Sequence, residues 1–371
     1  MCRRTYKYRL YPTTAQVEQL DWTLARCREL YNAALQERRD AYRMAGKSLN
    51  YYDQANQLPA VKDARPEYRD IHSQVQQDVL RRVDKAFQAF FRRVRAGQTP
   101  GYPRFQGRNR YDSFTYPQAG WSLDGDRLTL SKLGTLQVRL HRPLDGAVKT
   151  LSIKRDGDQW YVCFSCEVAD TPLPQTDTAA GIDLGLLHFA TLSDGRTIEN
   201  PRPLRRALKK LKRAQQQLSR CKRGSHRRNR VRQNVARLHR KVRNQRADFC
   251  HKAARQLVHT YGTIVFENLA VKNMVRNHHL ALSISDAGWA QFVQFCSDKA
   301  ASAGRCVLFV DPHYTSQLCS SCGAIARKEL SERWHSCACG CELDRDHNAA
   351  LNILRLGRSQ QTGPVCRSPA L

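Results

Sequence analysis

The sequence predicts a protein of several domains with a mixed fold, α+β in its N-terminal half and α/β in its C-terminal half. The chain has 371 residues, which is more than one hydrophobic core usually needs. Residues 4–168 contain short alternating strands around a helical stretch, an order typical of α+β domains. From residue 179 onward, buried strands alternate with helices, which favours a layered α/β domain.

The overall charge indicates a nucleic-acid partner. Lys and Arg number 62 against 33 Asp and Glu, a formal charge of +29. Such an excess favours phosphate backbones through the release of counterions. An anionic membrane is the alternative partner, but the basic residues are spread over the whole chain without a lipidation signal. We expect neither a membrane span nor a secretory signal, because no run of about 18 apolar residues is present and no apolar segment follows the basic N-terminus.

The N-terminal half is expected to form a barrel that is interrupted by helices. Residues 4–11 alternate between apolar and polar side chains and predict a strand. Two amphipathic helices follow, one opening after Pro12 and one over residues 72–95. We expect strand 4–11 to join the later strands in one sheet. Those strands are predicted at residues 113–116, 127–130, 135–140, 150–154 and 160–168.

The C-terminal half follows a linker at residues 170–178 and contains a strongly basic segment. Residues 202–246 hold 19 Lys or Arg and no acidic residue, with leucines and valines at helical spacing on both sides of Gly224. We interpret this segment as a helical hairpin that binds phosphates. A solvated pair of charged helices is the alternative, but such helices usually mix both signs of charge. Further on, a helix is predicted at residues 289–303 and a strand at 306–310.

Three acidic residues stand out by their context, and two of them lie in apolar strands, where an isolated charge is expensive to bury. Asp183 lies in the apolar strand 179–185, Glu267 lies in the apolar strand 263–269, and Asp346 begins the last helix. Each has an ordinary alternative: turn hydrogen bonds for the first, an arginine partner for the second, and helix capping for the third. Together they suggest a carboxylate site for Mg²⁺ or Mn²⁺, which could activate water against a phosphodiester. The three acids converge if the fold is RNase H-like.

The cysteines near the C-terminus predict a second metal site. The chain has fourteen cysteines. Cys319 and Cys322 form one pair, and Cys337, Cys339 and Cys341 follow about 15 residues later. Two cysteine knuckles at this spacing fit a zinc ribbon, in which four thiolates close a tetrahedral site. The second knuckle offers three thiols for two places, so the ligand set stays open at this point.

Several stretches of the chain resemble the TnpB family, nucleases of insertion sequences that are related to the compact type V CRISPR effectors. The resemblance covers roughly residues 3–356. The stretches that carry it read YKYRLYPT, PRFQGRNRYDSFTYPQ, GIDLGLLHFATLSDG, IVFENLAVKNMVRN, SISDAGWAQF, TSQLCSSCG and CGCELDRDHNAALNIL.

The resemblance implies a fold and an activity. We expect an RNA-guided endonuclease, in which a guide RNA from the transposon end directs cleavage of double-stranded DNA beside a short adjacent motif, in the prokaryotic cytoplasm with the nucleoid. The implied parts are a wedge-type barrel (1–11 and 109–172), an inserted helical recognition domain (12–108), an RNase H-like (RuvC) nuclease domain (178–312 and 343–357) with a basic lid (202–246), and a zinc ribbon (313–342). Because the sequence after Leu356 is polar and without a pattern, we expect a disordered tail (358–371).

The resemblance also assigns residue roles. It makes Asp183, Glu267 and Asp346 the catalytic metal ligands, with Asp346 preferred to Asp344 because it precedes the family's x-Asn-Ala-Ala. The second knuckle departs from the family, since Ser336 occupies the usual first cysteine position. We therefore expect the zinc ligands Cys319, Cys322, Cys337 and Cys339, with Cys341 as a possible substitute.

Two groups of residues are expected to contact nucleic acid. Ser73 and Gln77 lie one turn apart at the start of helix 72–95, and their polar groups could read base edges. An ordinary polar helix start is the alternative. The arginines expected to bind the phosphate backbone are Arg227, Arg228, Arg230 and Arg232.

Two other functions share parts of this sequence pattern. A nuclease-inactive relative acting as an RNA-guided repressor would lack at least one of the three acids, and this chain keeps all of them. A transposition accessory protein or strand transferase could share the acidic chemistry of an RNase H-like site. The predicted zinc ribbon ahead of the last acid, together with the basic lid, favours the guided nuclease.

Overall fold

The computed structural model describes residues 2–108, 110–326 and 332–360. The chain divides into two compact units between Ala169 and Asp170, at the start of the predicted linker. The expected mixture of helices and sheets is confirmed. No helix within these described ranges is long and apolar enough to span a bilayer.

The first unit is built on a seven-stranded antiparallel sheet that is nearly closed into a barrel. The N-terminal strand lies inside this sheet, paired with the last strand of the unit over its whole length and with β5 at its end. Alternation along β1 buries Tyr6, Tyr8 and Leu10. The strands are β1 (Cys2–Leu10), β2 (Ser113–Tyr116), β3 (Trp121–Asp124), β4 (Arg127–Leu130), β5 (Gly134–Arg139), β6 (Ala147–Asp156) and β7 (Gln159–Val168), in the order β2-β6-β7-β1-β5-β4-β3.

The helices of the first unit lie between β1 and β2 in the sequence. The longest begins at a capping box formed by Thr13 and Gln16 and ends at Gly46, whose φ of +62° suits glycine. The apolar faces of the helices and the sheet contribute to one continuous core, so the helical stretch does not have a core of its own. The helices are α1 (Thr14–Ala45), α2 (Tyr51–Ala55), α3 (Leu58–Ala64) and α4 (Ser73–Arg95), with a 3₁₀ turn at Pro66–Asp70.

The second unit is built on a five-stranded sheet in the order β10-β9-β8-β11-β12. Its first three strands are antiparallel, and the last two run parallel to β8. The strands are β8 (Ala179–Asp183), β9 (His188–Leu192), β10 (Thr197–Glu199), β11 (Thr263–Glu267) and β12 (Cys306–Val310). The helices are α5 (Pro203–Arg220), α6 (His226–Thr260), α7 (Val271–Met274), α8 (Ala281–Ala287), α9 (Trp289–Ala303) and α10 (Arg345–Gln360), and a short hairpin joins β13 (Trp334–Ser336) to β14 (Glu342–Asp344).

The two faces of this sheet pack against different helices. One face carries Ile182 and Phe266, which join the core of α6 and α9. The other face carries Val265, which packs with Ile353 of α10. A Cβ added at Gly181 of β8 would come within 2.2 Å of the carbonyl oxygen of Ala350. Helix α10 therefore crosses β8 backbone to backbone, at a distance that only glycine permits.

The basic segment differs from its predicted bounds. Helices α5 and α6 form the expected hairpin, but α6 continues to Thr260 instead of ending near residue 246. Its C-terminal part buries Cys250, Ala254 and Leu257 in the core of the second unit. The hairpin is thus an extension of a core helix, not a separate module. Helix α10 likewise continues through Gln360, past the predicted start of the tail at residue 358, and residues 361–371 lie outside the described part.

Candidate metal centres

Two of the predicted acids lie on the same face of the sheet. Because side chains alternate along a strand, Asp183 shares the face of Gly181, and Glu267 shares the face of Val265. This is the face that α10 covers. Strands β8 and β11 are parallel neighbours whose last registered pair is Ile182 and Phe266. The two carboxylates therefore lie side by side at the carboxyl ends of adjacent strands.

The third acid reaches this place from the first turn of α10. The side chain of Asp344 accepts hydrogen bonds from the backbone N–H groups of Asp346 at 2.9 Å and His347 at 3.1 Å, so Asp344 caps the helix. The carboxylate oxygens of Asp346 lie 3.6 Å from Nε of Arg345 and 3.9 Å from Nη1 of Arg333. This division of roles favours Asp346 over Asp344 as the metal ligand.

The electrostatics show that the charges of Glu267 and Asp346 act on Asp183. Removal from water raises the pKa of Asp183 well above its usual range, and the charges of Glu267 and Asp346 raise it further, with Arg345 opposing. Burial also raises the pKa of Glu267, while a hydrogen bond from the hydroxyl of Thr315 opposes that shift. A site where carboxylates repel one another in this way is stabilised by a cation.

The donor set fits a hard divalent cation, since all three groups offer carboxylate oxygens at one sheet edge. Their spacing is wider than that of the cysteine cluster. Among the described residues, the groups whose ligand atoms all lie within 4.8 Å of one another are formed by cysteines and one histidine. The acids therefore form an open site, not a closed cage.

The cysteines converge more tightly. The Sγ atoms of Cys319 and Cys339 lie 3.7 Å apart, and those of Cys322 and Cys337 lie 3.6 Å apart. All four lie within 4.8 Å of one another. Four thiolates at about 2.3 Å from a tetrahedral Zn²⁺ would be about 3.8 Å apart. The cluster could thus hold a metal ion and is compatible with structural zinc.

A second group in the same ribbon includes a residue that the sequence did not single out. Cys319, His335 and Cys341 also lie within 4.8 Å of one another, and His335 is fully buried. Although burial alone would raise the pKa of the Cys319 thiol, hydrogen bonds from the backbone of Cys322 and the His335 side chain lower it. The signal in the sequence that could have indicated His335 is its position between the two cysteine knuckles.

The expected base-reading residues lie at the start of α4 in the first unit. Ser73 is exposed and accepts a hydrogen bond from Nζ of Lys62 at 3.0 Å, and Gln77 is partly exposed. The neighbouring Gln76 is instead fully buried and donates to the carbonyl oxygens of Tyr68 at 2.6 Å and Ile71 at 2.8 Å. Of the glutamines at this helix start, Gln76 therefore serves the fold.

The four arginines of the basic hairpin do not share one environment. Arg227, Arg230 and Arg232 are exposed. Arg228 is partly buried, and its guanidinium donates to the carbonyl oxygens of Leu218 at 2.8 Å and Cys221 at 3.1 Å, which closes the end of α5. Arg228 therefore contributes to the hairpin's own structure, and the other three present their charge to solvent.

The base of the hairpin is fixed by a buried acid, Asp286, whose role could not be predicted from its sequence motif. The carboxylate of Asp286 accepts from the backbone N–H groups of Leu204 at 2.8 Å and Arg205 at 3.0 Å, at the start of α5. Arg246 of α6 donates to the backbone oxygen of Asp286 at 2.8 Å. One residue thus anchors both helices of the hairpin.

Comparison with known proteins identifies the family. A "Putative RNA-guided DNA endonuclease" of Streptomyces pristinaespiralis is 36% identical over 364 residues, covering 96% of this chain and 89% of its own length. The chain belongs to the TnpB/IS605 OrfB family. The "Putative RNA-guided DNA endonuclease InsQ" of Escherichia coli K12 is 32% identical over 378 residues, covering 96% of this chain and 92% of its own length. The resemblance inferred from the sequence is confirmed.

Family profiles match three parts of this TnpB-family chain. A profile described as "Probable transposase" matches residues 163–278, and one described as "Cas12f1-like, TNB domain" matches residues 289–353. A third, described as "Helix-turn-helix domain", matches residues 1–47. The structure there has strand β1 followed by the single long helix α1.

Two solved structures give low similarity scores. A Cas12f1 chain from a complex with sgRNA and target DNA has a TM-score of 0.36 at 17% identity, covering 95% of this chain and 99% of that chain. The mini-RNA-guided endonuclease CRISPR-Cas_phi3 has a TM-score of 0.49 at 10% identity, covering 96% and 92%. The family assignment depends on the sequence relatives alone.

The ligand set of the cysteine cluster can be tested by zinc content. We expect one Zn²⁺ per chain in the freshly purified protein, and much less in Cys319→Ser, Cys322→Ser, Cys337→Ser or Cys339→Ser, because each removes one of four converging thiolates. Cys341→Ser should keep its zinc. Cys221→Ser, in the basic hairpin, is the control. Zinc loss in Cys341→Ser together with retention in Cys337→Ser would reverse the assignment.

Proposed function

We propose that this chain is an RNA-guided DNA endonuclease of a transposable element, which hydrolyses phosphodiester bonds at a carboxylate site for divalent metal. The observation that carries the proposal is that Asp183 and Glu267 lie on one face of the sheet at adjacent strand ends, where the start of α10 brings Asp346, and that the charges of Glu267 and Asp346 act on Asp183. The names of the two bacterial relatives support the same activity.

The second unit is proposed to be a RuvC-type nuclease domain. The sheet has three antiparallel strands followed by two parallel ones, with the first strand at its centre. This order supports the proposal of an RNase H-like sheet. The site lies where the carboxyl ends of β8 and β11 meet the start of α10. We assign the wedge and recognition roles to the sheet and helices of the first unit.

The three acids are proposed to hold Mg²⁺ or Mn²⁺, which when bound would activate a water and stabilise the leaving oxygen of a phosphodiester. The protein's own part is to fix the ligands. Asp183 and Glu267 are held by the paired strands, and Asp346 is held by the capped first turn of α10. Thr315 binds the carboxylate of Glu267 and limits its rotation.

A cationic surface beside the acids supports a polyanionic substrate. Arg333, close to Asp346, also lines a pocket of about 230 Å³ together with Arg202 and Arg205. The apolar walls of this pocket include Leu186 and Leu282. Guanidinium groups beside a carboxylate site would hold the backbone of a strand that enters it.

Substitution of the acids tests the nuclease assignment. Asp183→Ala, Glu267→Ala and Asp346→Ala should each lower cleavage of target DNA by the RNA-loaded protein by about three orders of magnitude, because each removes a metal ligand worth several kcal/mol in the transition state. RNA binding should be unchanged. Asp298→Asn, an exposed acid on α9, is the control, and full cleavage by any of the three alanine variants would contradict the assignment.

Charge reversal tests the basic hairpin. Changing Arg227, Arg230 and Arg232 to Glu should weaken RNA or DNA binding for all sequences alike, since phosphate contacts carry no sequence information. The slope of log affinity against log salt should fall by roughly 0.7–0.9 per lost contact. Changing the same residues to Lys keeps the charge and serves as the control. Unaltered affinity and slope in the Glu variant would make the hairpin a solvated structural element.

The reader of the adjacent motif is proposed to include Ser73 and Gln77. Gln77→Ala should change the preferred adjacent motif more than the total affinity, because an amide that bonds a base edge discriminates by about 1–3 kcal/mol. Gln88→Ala, further along the same helix, is the control. Cleavage of a library of randomised flanking sequences measures the preference, and an unaltered motif would exclude this helix start as the reader.

A further inference from the structure

We propose that Thr315 is a positioning residue for the Glu267 carboxylate. Asn348 and Asn352 in turn make the position of Thr315 depend on the zinc knuckle, the turn at residues 319–323 that carries Cys319 and Cys322. The inference rests on the proposed function, since it assigns Glu267 to the metal site. It concerns how one metal centre of the chain controls the geometry of the other.

The first step is the contact between Thr315 and Glu267. Thr315 is buried, and its hydroxyl donates to Oε1 of Glu267. The same hydroxyl lies 3.2 Å from the carbonyl oxygen of Pro312, so the bond to Glu267 is the shorter of the two. A carboxylate that accepts a fixed hydrogen bond on one oxygen is limited in its rotation and presents the other oxygen to a ligand.

The second step is the way Thr315 itself is held. The side-chain amide of Asn352 donates to the carbonyl oxygens of Thr315 at 2.9 Å and Leu318 at 2.7 Å, and Asn352 is fully buried. Its own Oδ1 is buried without a hydrogen-bond partner within the described residues. Burial of an unpaired oxygen is unfavourable, so the two bonds of this amide must offset that cost.

The third step connects this segment to the cysteines. Asn348, one turn before Asn352 and also fully buried, donates to the carbonyl oxygen of Leu318 at 2.7 Å and accepts from the backbone N–H of Ser320 at 2.9 Å. These two residues flank Cys319. The knuckle is closed by the backbone N–H of Gly323, which donates to the carbonyl oxygen of Cys319 at 2.9 Å.

The local backbone is strained at the start of this segment. Tyr314 has a φ of +61°, which residues other than glycine rarely adopt. Its carbonyl oxygen accepts from the N–H groups of Gln317 and Leu318, both at 2.9 Å. The turn at Tyr314 therefore holds an unfavourable conformation that directs the Thr315 hydroxyl toward Glu267. The hydrogen bonds that anchor the knuckle stabilise this conformation.

Helix α10 connects the two centres because its opposite faces carry the two sets of contacts. Asp346 lies on the stripe of Ala350 and Gly357, which meets the sheet. Asn348 and Asn352 lie on the other side and hold residues 315–320. Loss of zinc should loosen the knuckle, release the Thr315 turn, and leave Glu267 free to rotate.

The test is Mn²⁺ affinity of the full chain, measured by electron paramagnetic resonance at fixed pH. Thr315→Val removes the hydroxyl and should weaken Mn²⁺ binding by about tenfold, as loss of a ligand's hydrogen-bond partner does. Thr315→Ser keeps the hydroxyl and should bind Mn²⁺ with wild-type affinity. The melting temperatures of Thr315→Val and Thr315→Ser should both lie near that of the wild type. Should Thr315→Val unfold, Thr315→Ala provides the same test with a smaller side chain.

The dependence on zinc is tested by a double-mutant cycle. Cys322→Ser should weaken Mn²⁺ binding in the wild-type background, but by less than about twofold in Thr315→Val, because the coupling passes through that hydroxyl. Wild-type affinity in Thr315→Val, failure of Thr315→Ser to restore it, or full additivity with Cys322→Ser would overturn the inference. Glu267→Gln distinguishes failure of the coupling from failure of the proposed metal site. Wild-type Mn²⁺ affinity in Glu267→Gln would refute the metal site itself.

Discussion

The close crossing of α10 over β8 is the interaction on which the second unit depends. Gly181 has no side chain, so the carbonyl oxygen of Ala350 and the backbone nitrogen of Leu354 lie where a Cβ would stand, at 2.2 and 2.5 Å from it. At Gly357, the absence of a side chain leaves room for the side chain of Val265 of β11. Strand alternation then places Asp183 and Glu267 under the start of the helix, where Asp346 meets them.

The same helix explains why the cysteine cluster, which resembles a zinc ribbon, stands directly ahead of the last acid. One side of α10 packs against the sheet. The other side carries the buried amides of Asn348 and Asn352, which require hydrogen-bond partners. The knuckle around Cys319 supplies that partner through Leu318 and Ser320. Two candidate metal centres with different chemistry thereby share one scaffold, a cluster of thiols that could hold zinc and a more open set of carboxylates that we propose binds Mg²⁺ or Mn²⁺.

Much of this arrangement could be predicted from local sequence. An acid inside an apolar strand is conspicuous, so Asp183 and Glu267 could be named, and the cysteine spacing indicated a ribbon. Contacts between distant residues could not be read in this way. The bond from Thr315 to Glu267 joins positions 48 apart, and the role of Arg228 in closing α5 is hidden among arginines of identical local character. The continuation of α6 into the core was not predicted. The expected boundary at residue 246 was placed where the basic run ends, and not where the apolar periodicity of the helix ends.

The most direct measurement is the Mn²⁺ affinity of Gly181→Ala, with Gly107→Ala as the control because a Cβ there meets no atom within 4 Å. The added methyl group must push α10 away from β8, since the two nearest atoms that it meets are backbone atoms of the helix. We expect Gly181→Ala to bind Mn²⁺ at least about tenfold more weakly than the wild type at a temperature where both are folded, and Gly107→Ala to bind normally. Wild-type affinity in folded Gly181→Ala would show that the crossing of α10 does not position the acids.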